Sequence, residues 1–400
     1  MPRYAAFLGN QPLLSLSELQ AVLPDMSDVR LASRTTALFE TQRPIDPAEL
    51  KTWGGTVLLA EEIVPDTQPA AVPGLLAKLL EGKKGKLTFA IRADGVPLDT
   101  VRRLYRTCKD KLKEAGSPSR YVGTERQAAA TALLRDAGLL NGEGGAEIVL
   151  IRDGKKLWAG RTIAAQDPDA YTERDMHKPI RDTRSGLLPP KLAQILLNFG
   201  WMLAGGRERQ GQITVYDPFC GTGVIPIEVL LRGWAVLGSD NSQKAVDGTE
   251  TNIEWLRKTM KIKKTDAPSA IWKQDARKTF KLPSKPDMVV SETTLGPALI
   301  ARPTAVDAKK YCAEADELET EFLQNAAAAL PGVPLAITWP VWYMKSGDIR
   351  LEKTWKNLAK LGYRAVPAPG VAPGMERPTI VYRRGDQFVG REIVLLTPLR

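Results

Sequence analysis

Apolar and polar residues follow two different patterns along the chain. Before residue 165, helical spacing predicts a helix in "SLSELQAVL" and further helices at about 97–115 and about 124–139. Short apolar or alternating runs predict strands in "RYAAFLG", "TALFET", "GTVLLAEEIV", "KLTFAIR", "AEIVLIRDG" and "KKLWAGRTI". This mixture predicts a compact α+β unit with its helices on one side.

From residue 191 onward, predicted strands and helices alternate. The strands are "ITVYD", "WAVLGSD", "AIWKQDA", "DMVVSE" and "PLAITW", and helices are expected at about 225–232, 242–259, 307–330 and 349–361. The segments "YRAV", "TIVYRR" and "GREIVLLT" follow, the last two as a hairpin. This alternation predicts an α/β fold, a doubly wound parallel sheet closed by an antiparallel hairpin. The polar connector "AAQDPDAYTERDMHKPIRDTRSGLLPP" separates the two regions and is typical of a linker or a long functional loop.

Composition narrows the choice of partner and compartment. A net charge of +10 over 400 residues favours a polyanionic partner, which is nucleic acid or an anionic membrane surface. No apolar run is long enough to span a bilayer, and the first residues lack the pattern of a signal peptide. Three scattered cysteines and the single His177 provide neither a disulfide framework nor metal-ligand spacing. We therefore expect a cytoplasmic protein without a metal site.

The segment "VYDPFCGTGVIPIEVLLRGWAVLGSDNS" is the strongest chemical signal in the chain. A strand ends in Asp217, the turn Gly221-Thr222-Gly223 follows, and a second strand ends in Asp240. Glycines allow close backbone approach to a ligand, and an acid about twenty residues further on commonly meets ribose hydroxyls. The alternative is a glycine turn with solvated acids. The whole constellation favours a nucleotide-bearing cofactor.

The acids indicate which nucleotide is bound. A pyrophosphate would be repelled by Asp217, and Pro226 occupies the position of the third glycine of a dinucleotide fingerprint. S-adenosylmethionine has no phosphate and carries an ammonium and a sulfonium group, so an acid beside the loop suits it. Asp275, in "KQDAR", ends the next strand and could accept a hydrogen bond from the adenine amino group. S-adenosyl-L-methionine is therefore the expected cofactor.

These residues also carry a resemblance to a known family. "DPFCGTGVIPIE" with "GSDNS" resembles the class I methyltransferase domain of tRNA guanine-N2 methyltransferases that carry an N-terminal THUMP domain. The connector and "KLAQILLNFG" are similar to the family segment that covers the methionine end of the cofactor, and "SRYVG", "EIVLI" and "GRTIAAQD" resemble its N-terminal modules. The resemblance implies a ferredoxin-like module at 1–70, a THUMP-like RNA-binding domain at 71–165, a linker at 166–190 that contributes to the cofactor site, and a methyltransferase domain at 191–400. Carried over by position, it implies that the cofactor is bound by Asp217, Phe219, Gly221, Thr222, Gly223, Asp240, Asn241, Asp275 and Ala276.

One predicted helix carries a basic stripe that suits RNA. In "TVRRLYRTCKDKLKEAG" the spacing i, i+4, i+7, i+11 places four cations on one helix face, namely Arg102, Arg106, Lys109 and Lys113. Such a stripe could meet successive phosphates, although a solvated helix face explains each residue nearly as well. The resemblance implies that this half holds the acceptor end of tRNA. A second basic run, "RKTMKIKKTDAPSAIWKQDARKTFKLPSK", could extend that surface or serve only as a solubilising loop.

The loop after "DMVV" departs from the family. There, Asp/Asn-Pro-Pro-Tyr accepts hydrogen bonds from the target amino group and stacks on the base, whereas this chain has Ser291-Glu292-Thr293-Thr294. Ser291 falls on the acid position and Thr294 on the aromatic one, while Glu292 supplies a carboxylate one residue later. Trp339 and Trp342 in "TWPVWY" are candidate stacking substitutes, with burial in the core as the alternative.

Three functions remain open at this point. The first is an S-adenosylmethionine-dependent RNA methyltransferase acting on a tRNA guanine amino group, with Glu292 as the main acceptor and with Ser291, Thr293 and Thr294 in the same loop. The second is a THUMP-type tRNA-binding protein that has kept the cofactor and lost transfer. The third is a methyltransferase for rRNA or for another atom.

Overall fold

The computed structural model describes residues 1–83, 85–124, 128–140, 144–181, 187–208, 211–297, 299, 301–345, 347–372, 374–385 and 387–399. Contacts divide the chain into two compact units. The first contains residues 1–19 and 23–171, and the second contains residues 20–22 and 172–400. Among the described residues, no helix has the length and apolar content that a membrane crossing requires.

The first unit is built on one eight-stranded sheet. Its strands are β1 (Arg3–Leu8), β2 (Ser27–Ser33), β3 (Thr36–Glu40), β4 (Thr56–Val64), β5 (Leu87–Asp94), β6 (Ser119–Tyr121), β7 (Gly145–Asp153) and β8 (Lys156–Ala165). The spatial order is β2-β3-β1-β4-β8-β7-β5-β6. Strand β5 runs parallel to β6 and β7, and the other neighbours are antiparallel. Strand β4 precedes the domain boundary predicted at residue 70, and β8 follows it. Because these two strands pair, one sheet contains strands from both sides of that boundary, which stays a prediction.

Helices pack on both faces of this sheet. They are α1 (Pro12–Val22), α2 (Val72–Leu79), α3 (Leu98–Glu114) and α4 (Thr131–Asp136), with 3-10 turns at Pro47–Thr52 and Pro69–Ala71. Phe89 of β5 shares a core with α2 and α3, whereas the next residue, Ala90, shares a core with Leu134 of α4. Successive strand residues point to opposite faces, so the expectation of helices on one side is wrong. The first five residues of β5 are all buried and largely apolar, so this run gives no sign of which face is covered.

The second unit contains the predicted parallel sheet. Its strands are β9 (Thr214–Asp217), β10 (Ala235–Asp240), β11 (Ser269–Lys273), β12 (Met288–Glu292), β13 (Leu335–Met344), β14 (Gly347–Ile349), β15 (Tyr363–Ala365), β16 (Ile380–Tyr382) and β17 (Val389–Pro398). The order β11-β10-β9-β12-β13-β17-β15 is parallel as far as β13, and β17 is antiparallel to its neighbours. Strand β16 pairs antiparallel with β17, which confirms the closing hairpin.

Helices cover both faces of this sheet as well. They are α6 (Pro190–Leu203), α7 (Val224–Leu231), α8 (Gln243–Met260), α9 (Ala305–Ala329) and α10 (Glu352–Asn357), with a 3-10 turn at Gly206–Glu208. A further helix, α5 (Pro168–Met176), contains the point at which the chain divides between the units. A Cβ on Gly200 of α6 would lie 2.7 Å from Val290 Cγ2, so α6 packs tightly on one face of β12. Val289 instead shares a core with Phe322 of α9 on the other face. The doubly wound arrangement is thereby confirmed.

Several elements differ from the sequence-based expectations. Strand β2 and helices α2, α5 and α6 were not predicted, and α4 is shorter than the helix expected at about 124–139. Residues 125–127 of that helix and residues 182–186 of the connector lie outside the described residues. Helix α6 was missed because residues 192–200 are all buried, the polar Gln194 and Asn198 among them, so no exposed polar face marks its period there.

Candidate functional site

Two adjoining cavities lie beyond the carboxyl ends of the parallel strands in the second unit. The first has a volume of about 490 Å³ and includes connector residues Ile180, Arg181, Leu187 and Leu188 in its wall. The second, of about 510 Å³, includes the loop from Thr293 to Gly296. Both are lined by Phe219, Gly221, Asp240 and Glu292, so these four residues form the junction.

The glycine turn brings bare backbone to the junction. Gly221 and Gly223 have φ values of 53° and 85°, which L side chains rarely adopt. A Cβ on Gly223 would lie 2.9 Å from Thr249 Cγ2, whereas one on Gly221 would meet only the Phe219 carbonyl oxygen, at 4.0 Å. Gly223 therefore serves the packing of the turn against α8, and Gly221 leaves space on the cavity side.

Asp217, at the end of β9, is nearly fully buried. Its Oδ1 accepts a 2.6 Å hydrogen bond from Ser291 Oγ and a 3.2 Å bond from the Phe219 N–H. Burial raises the pKa of Asp217 to about 7, helped by the negative charges of Asp240 and Glu292, while the two hydrogen bonds oppose the rise. This carboxyl therefore titrates near neutral pH and lies on the wall of the first cavity.

Asp240 ends β10, Asp275 lies two residues after β11, and both residues line the cavities. Asp240 accepts the Ser242 N–H at 2.9 Å and the Gly221 N–H at 3.1 Å. Asp275 is bound by Arg277, whose Nη2 lies 2.7 Å from its Oδ2, and this hydrogen bond lowers the pKa of Asp275. The other residues expected at the cofactor are Thr222, which lines the first cavity, and Asn241 and Ala276, which line the second.

Glu292 faces the junction and is held by a residue that the sequence analysis did not identify. The Nε of Arg391, on β17, donates a hydrogen bond to Glu292 Oε1, and Arg391 is only 1% exposed. Burial raises the pKa of Glu292, and the charge and hydrogen bond of Arg391 oppose the rise. The available signal was an arginine in the predicted strand "GREIVLLT", but nothing in its position indicated which acid it meets.

The other three residues of this loop have different surroundings. Ser291 is fully buried and does not line either cavity. Thr293 and Thr294 line the second cavity. The Thr293 hydroxyl donates to the Thr338 carbonyl at 2.7 Å, and the Thr294 hydroxyl accepts the Gly296 N–H at 3.2 Å. Both threonine hydroxyls therefore already have partners within the loop and the adjacent strand.

The two tryptophans of "TWPVWY" lie within β13, the fifth parallel strand, and belong to the core. Trp339 and Trp342 are both fully buried, and Trp339 Nε1 donates to Glu319 Oε2 at 2.9 Å. The suggestion that they replace the family's stacking tyrosine is therefore wrong, and the core alternative is confirmed. Among the described residues that line the two cavities, Phe219 is the only aromatic one, and its ring packs edge-on against Phe322.

The basic stripe lies on α3 of the first unit. Arg106, Lys109 and Lys113 are exposed, and Arg102 is partly buried and forms an ion pair with Asp99 at 3.1 Å. A neighbouring face of α3 buries Val101, Leu104, Tyr105, Cys108 and Leu112. In the second basic run Lys261, Lys263 and Lys264 are exposed. Within the described ranges, no group of three or more potential ligands is placed to hold a metal ion.

Comparison with known proteins provides partial matches in sequence and structural similarity over the full length. No family model matches the chain. It is 32% identical over 145 residues to the tRNA (guanine(10)-N2)-dimethyltransferase of Methanothermobacter thermautotrophicus, which is 36% of each chain. It is 27% identical over 194 residues to the enzyme of that name from Pyrococcus abyssi, covering 48% of this chain and 50% of that protein. The matches thus span half or less of these relatives.

The crystal structure of TrmN from Thermus thermophilus is similar over the whole of both chains. The TM-score is 0.51 and the sequence identity is 16%. At that identity the likeness shows a shared fold. The chain therefore has the α/β fold of TrmN, and over part of its length it is similar in sequence to tRNA (guanine(10)-N2)-dimethyltransferases.

Proposed function

We propose that this protein is an S-adenosylmethionine-dependent methyltransferase that acts on the exocyclic amino group of a guanine in tRNA. The observation that carries the proposal is the junction of the two cavities. There the ends of three neighbouring parallel strands bring Asp217, Asp240 and Glu292 to one cavity wall beside a glycine turn. The relatives named above, which modify guanine in tRNA, are similar over part of the chain.

The residues present fit this cofactor. Three carboxylates on one wall suit a ligand with ammonium and sulfonium charges and disfavour a pyrophosphate. The open side of Gly221 allows a ligand to approach the backbone. Each oxygen of Asp240 accepts one backbone N–H and retains a lone pair, so the carboxylate can also accept hydrogen bonds from two ribose hydroxyls. The cofactor supplies an electrophilic methyl group.

In this proposal Glu292 accepts hydrogen bonds from the target amino group. The lone pair of that nitrogen is delocalised into the guanine ring, and an acceptor for its hydrogens favours the nucleophilic geometry. Glu292 is suitably placed because it lines both the cavity that includes Asp217 and the cavity that includes Thr293 and Thr294. Ser291, buried against Asp217, is assigned to orienting that carboxyl.

The first unit supplies the RNA-binding surface in the same proposal. We assign residues 1–70 to a ferredoxin-like module and 71–165 to a THUMP-like domain, because the α+β architecture and the exposed cations of α3 are consistent with both. Arg106, Lys109 and Lys113 would contact phosphates, and phosphate contacts position an RNA without reading its sequence. The connector 166–190 contributes Ile180, Arg181, Leu187 and Leu188 to the first cavity. A cytoplasmic location agrees with an RNA substrate.

Methyl transfer to natural RNA tests the proposal. The protein is incubated with unfractionated RNA and S-adenosylmethionine labelled in its methyl group, and the labelled nucleosides are separated after digestion. We expect label in N2-methylguanosine from the tRNA fraction. Label in another nucleoside, or in rRNA alone, would contradict the assigned substrate.

A second candidate is a tRNA-binding protein that has kept the cofactor and lost transfer. The observation in its favour is that the 291–294 loop contains no aromatic residue, and that Trp339 and Trp342 are buried. This candidate predicts measurable binding of S-adenosylmethionine and of tRNA, with no label in any nucleoside. The same assay therefore separates the two functions.

A further inference from the structure

A buried arginine connects two walls of the first cavity. Arg391 Nε donates to Glu292 Oε1, and its Nη2 lies 3.4 Å from the carbonyl oxygen of Leu187, which precedes α6. Glu292 and Leu187 both line this cavity. Arg391 is on β17, and β13 lies between β17 and β12, so the guanidinium spans a neighbouring strand to reach the glutamate.

The register explains why these two side chains meet. Glu292 is paired with Thr338 of β13, and Arg391 is paired with Pro340, two residues further along the same strand. Val290 faces α6, and Glu292 follows it by two residues, so alternation places the glutamate on the same face. On β17, the adjacent Glu392 instead pairs with Arg350 and Arg377. Strand β17 thus carries two adjacent buried charged residues, Arg391 and Glu392, and only the ion pair of Arg391 is at the cavity.

We propose that Arg391 is a positioning residue for methyl transfer, which fixes the Glu292 carboxylate at the junction of the cavities and keeps it ionised. This inference rests on the proposed function. An ionised carboxylate accepts hydrogen bonds and stabilises the positive charge that develops on the amino nitrogen, whereas a protonated one presents a donor. Arg391 itself lines neither cavity, so it acts through Glu292.

The negative charges around Glu292 explain why an ionised Glu292 needs a cationic partner. Asp217 at the end of β9 is close enough for the two carboxyls to repel each other, and Asp240 at the end of β10 lines the same cavity. Arg181 of the connector and Lys244 of α8 supply positive charge on that wall, and Arg391 forms a hydrogen bond with Glu292. Without Arg391, burial and the neighbouring acids would both favour the protonated carboxyl.

Arg391→Gln tests the inference through the pH dependence of the rate. Loss of the guanidinium should raise the pKa of Glu292, so we expect kcat at neutral pH to fall about tenfold or more and to recover as the pH rises by roughly 1–3 units. The KM for S-adenosylmethionine should change less than kcat. Arg391→Lys keeps a positive charge without the planar donors and should show a smaller loss and a smaller shift.

Arg350→Gln is the matched control, because it removes one guanidinium from Glu392 on the same strand and leaves Arg377 in place. Its pH profile should match that of the wild type. A uniform loss for Arg391→Gln, with an unshifted profile, would show that Arg391 supports only the fold. Wild-type kinetics in Arg391→Gln would show that the Arg391–Glu292 pair has no role in methyl transfer.

A second measurement does not depend on methyl transfer. In Arg391→Gln the pKa of Glu292 in the folded state lies further above its unfolded value, so stability is retained at low pH and lost as the pH rises. We expect the drop in thermal midpoint relative to wild type to be larger near about pH 8 than near about pH 5. Adding Glu292→Gln should abolish this pH dependence. If the wild type transfers no methyl group, the proposed function fails, while a pH-independent drop in midpoint would overturn the pairing itself.

Discussion

The carboxylates on the two sides of the cavity junction are held in different ways. Asp217 and Asp240 accept hydrogen bonds from neutral groups, among them backbone N–H groups only two residues away. Glu292 is held by a charged side chain 99 residues further along the chain. The hydrogen bonds from the N–H groups two residues away follow from the local turn after each strand. The Ser291–Asp217 bond needs β12 beside β9, and the Arg391–Glu292 pair exists only once β17 has joined the sheet.

This difference separates binding from chemistry in the proposed enzyme. The locally built side, with its glycine turn, carries the features that suit the cofactor. The side that depends on Arg391 carries the one acid that the proposal places at the target nitrogen. Changes on the first side should therefore alter affinity for the cofactor, and changes on the second should alter the rate of transfer.

Glu292→Ala should have the largest effect, and it tests most directly whether the Glu292 side determines the rate of transfer rather than the affinity for the cofactor. If the carboxylate acts mainly as the amino nitrogen becomes nucleophilic, kcat should fall by about 10²–10⁴, because positioned groups of this kind contribute that much. Cofactor and tRNA affinities, measured by calorimetry and filter binding, should remain within a few-fold of wild type.

Two variants make that result interpretable. Glu292→Gln keeps an acceptor oxygen without the charge, and we expect a partial defect. Glu250→Ala removes an exposed glutamate of α8 and should leave transfer unchanged. Wild-type turnover by Glu292→Ala would place the acceptor elsewhere in the cavity.

The same contrast explains what the sequence could reveal. The turn Gly221-Thr222-Gly223, the acids after the strands and the parallel sheet with its hairpin all have local signatures, and the structure places them as predicted. Arg391 could not be matched to Glu292, because that contact depends on the register of β12, β13 and β17. The burial of Trp339 depends equally on α9, which supplies Glu319 as the partner of its indole N–H.

Asp240→Ala should have the second largest effect, on the binding side. A hydrogen bond to a charged group contributes about 1.5–3 kcal/mol, so removing the carboxylate should weaken S-adenosylmethionine binding by about ten- to a hundredfold. Calorimetry measures this directly. Asp247→Ala, an exposed acid on α8, is the control and should bind like wild type. Unchanged affinity in Asp240→Ala would remove this residue from the cofactor site.

Charge reversal on α3 should have a smaller effect that is confined to RNA. Changing Arg106, Lys109 and Lys113 together to glutamate should weaken tRNA binding and flatten its dependence on salt by about 0.7–0.9 per lost phosphate contact. The control reverses three exposed lysines of the second unit, Lys309, Lys310 and Lys353, and alters the net charge equally. Equal losses in both triple variants would indicate a general charge effect rather than a contact surface on α3.

Ser291→Ala should have the smallest effect, and it tests whether one hydrogen bond to Asp217 influences the affinity for the cofactor. The Ser291 hydroxyl donates to Asp217, and a hydrogen bond to the ionised form lowers the pKa of a carboxyl. Its loss should raise the pKa of Asp217 above about 7, so that more of this carboxyl is neutral at physiological pH. Affinity for the cationic cofactor should then fall about two- to fivefold near neutral pH and recover at higher pH, where Asp217 ionises in both proteins.

Ser239→Ala provides the comparison, because that buried serine hydrogen-bonds the Tyr216 hydroxyl and not a carboxylate. A loss of affinity in Ser291→Ala that persists at high pH would mean that the serine shapes the wall of the cavity rather than the charge of Asp217.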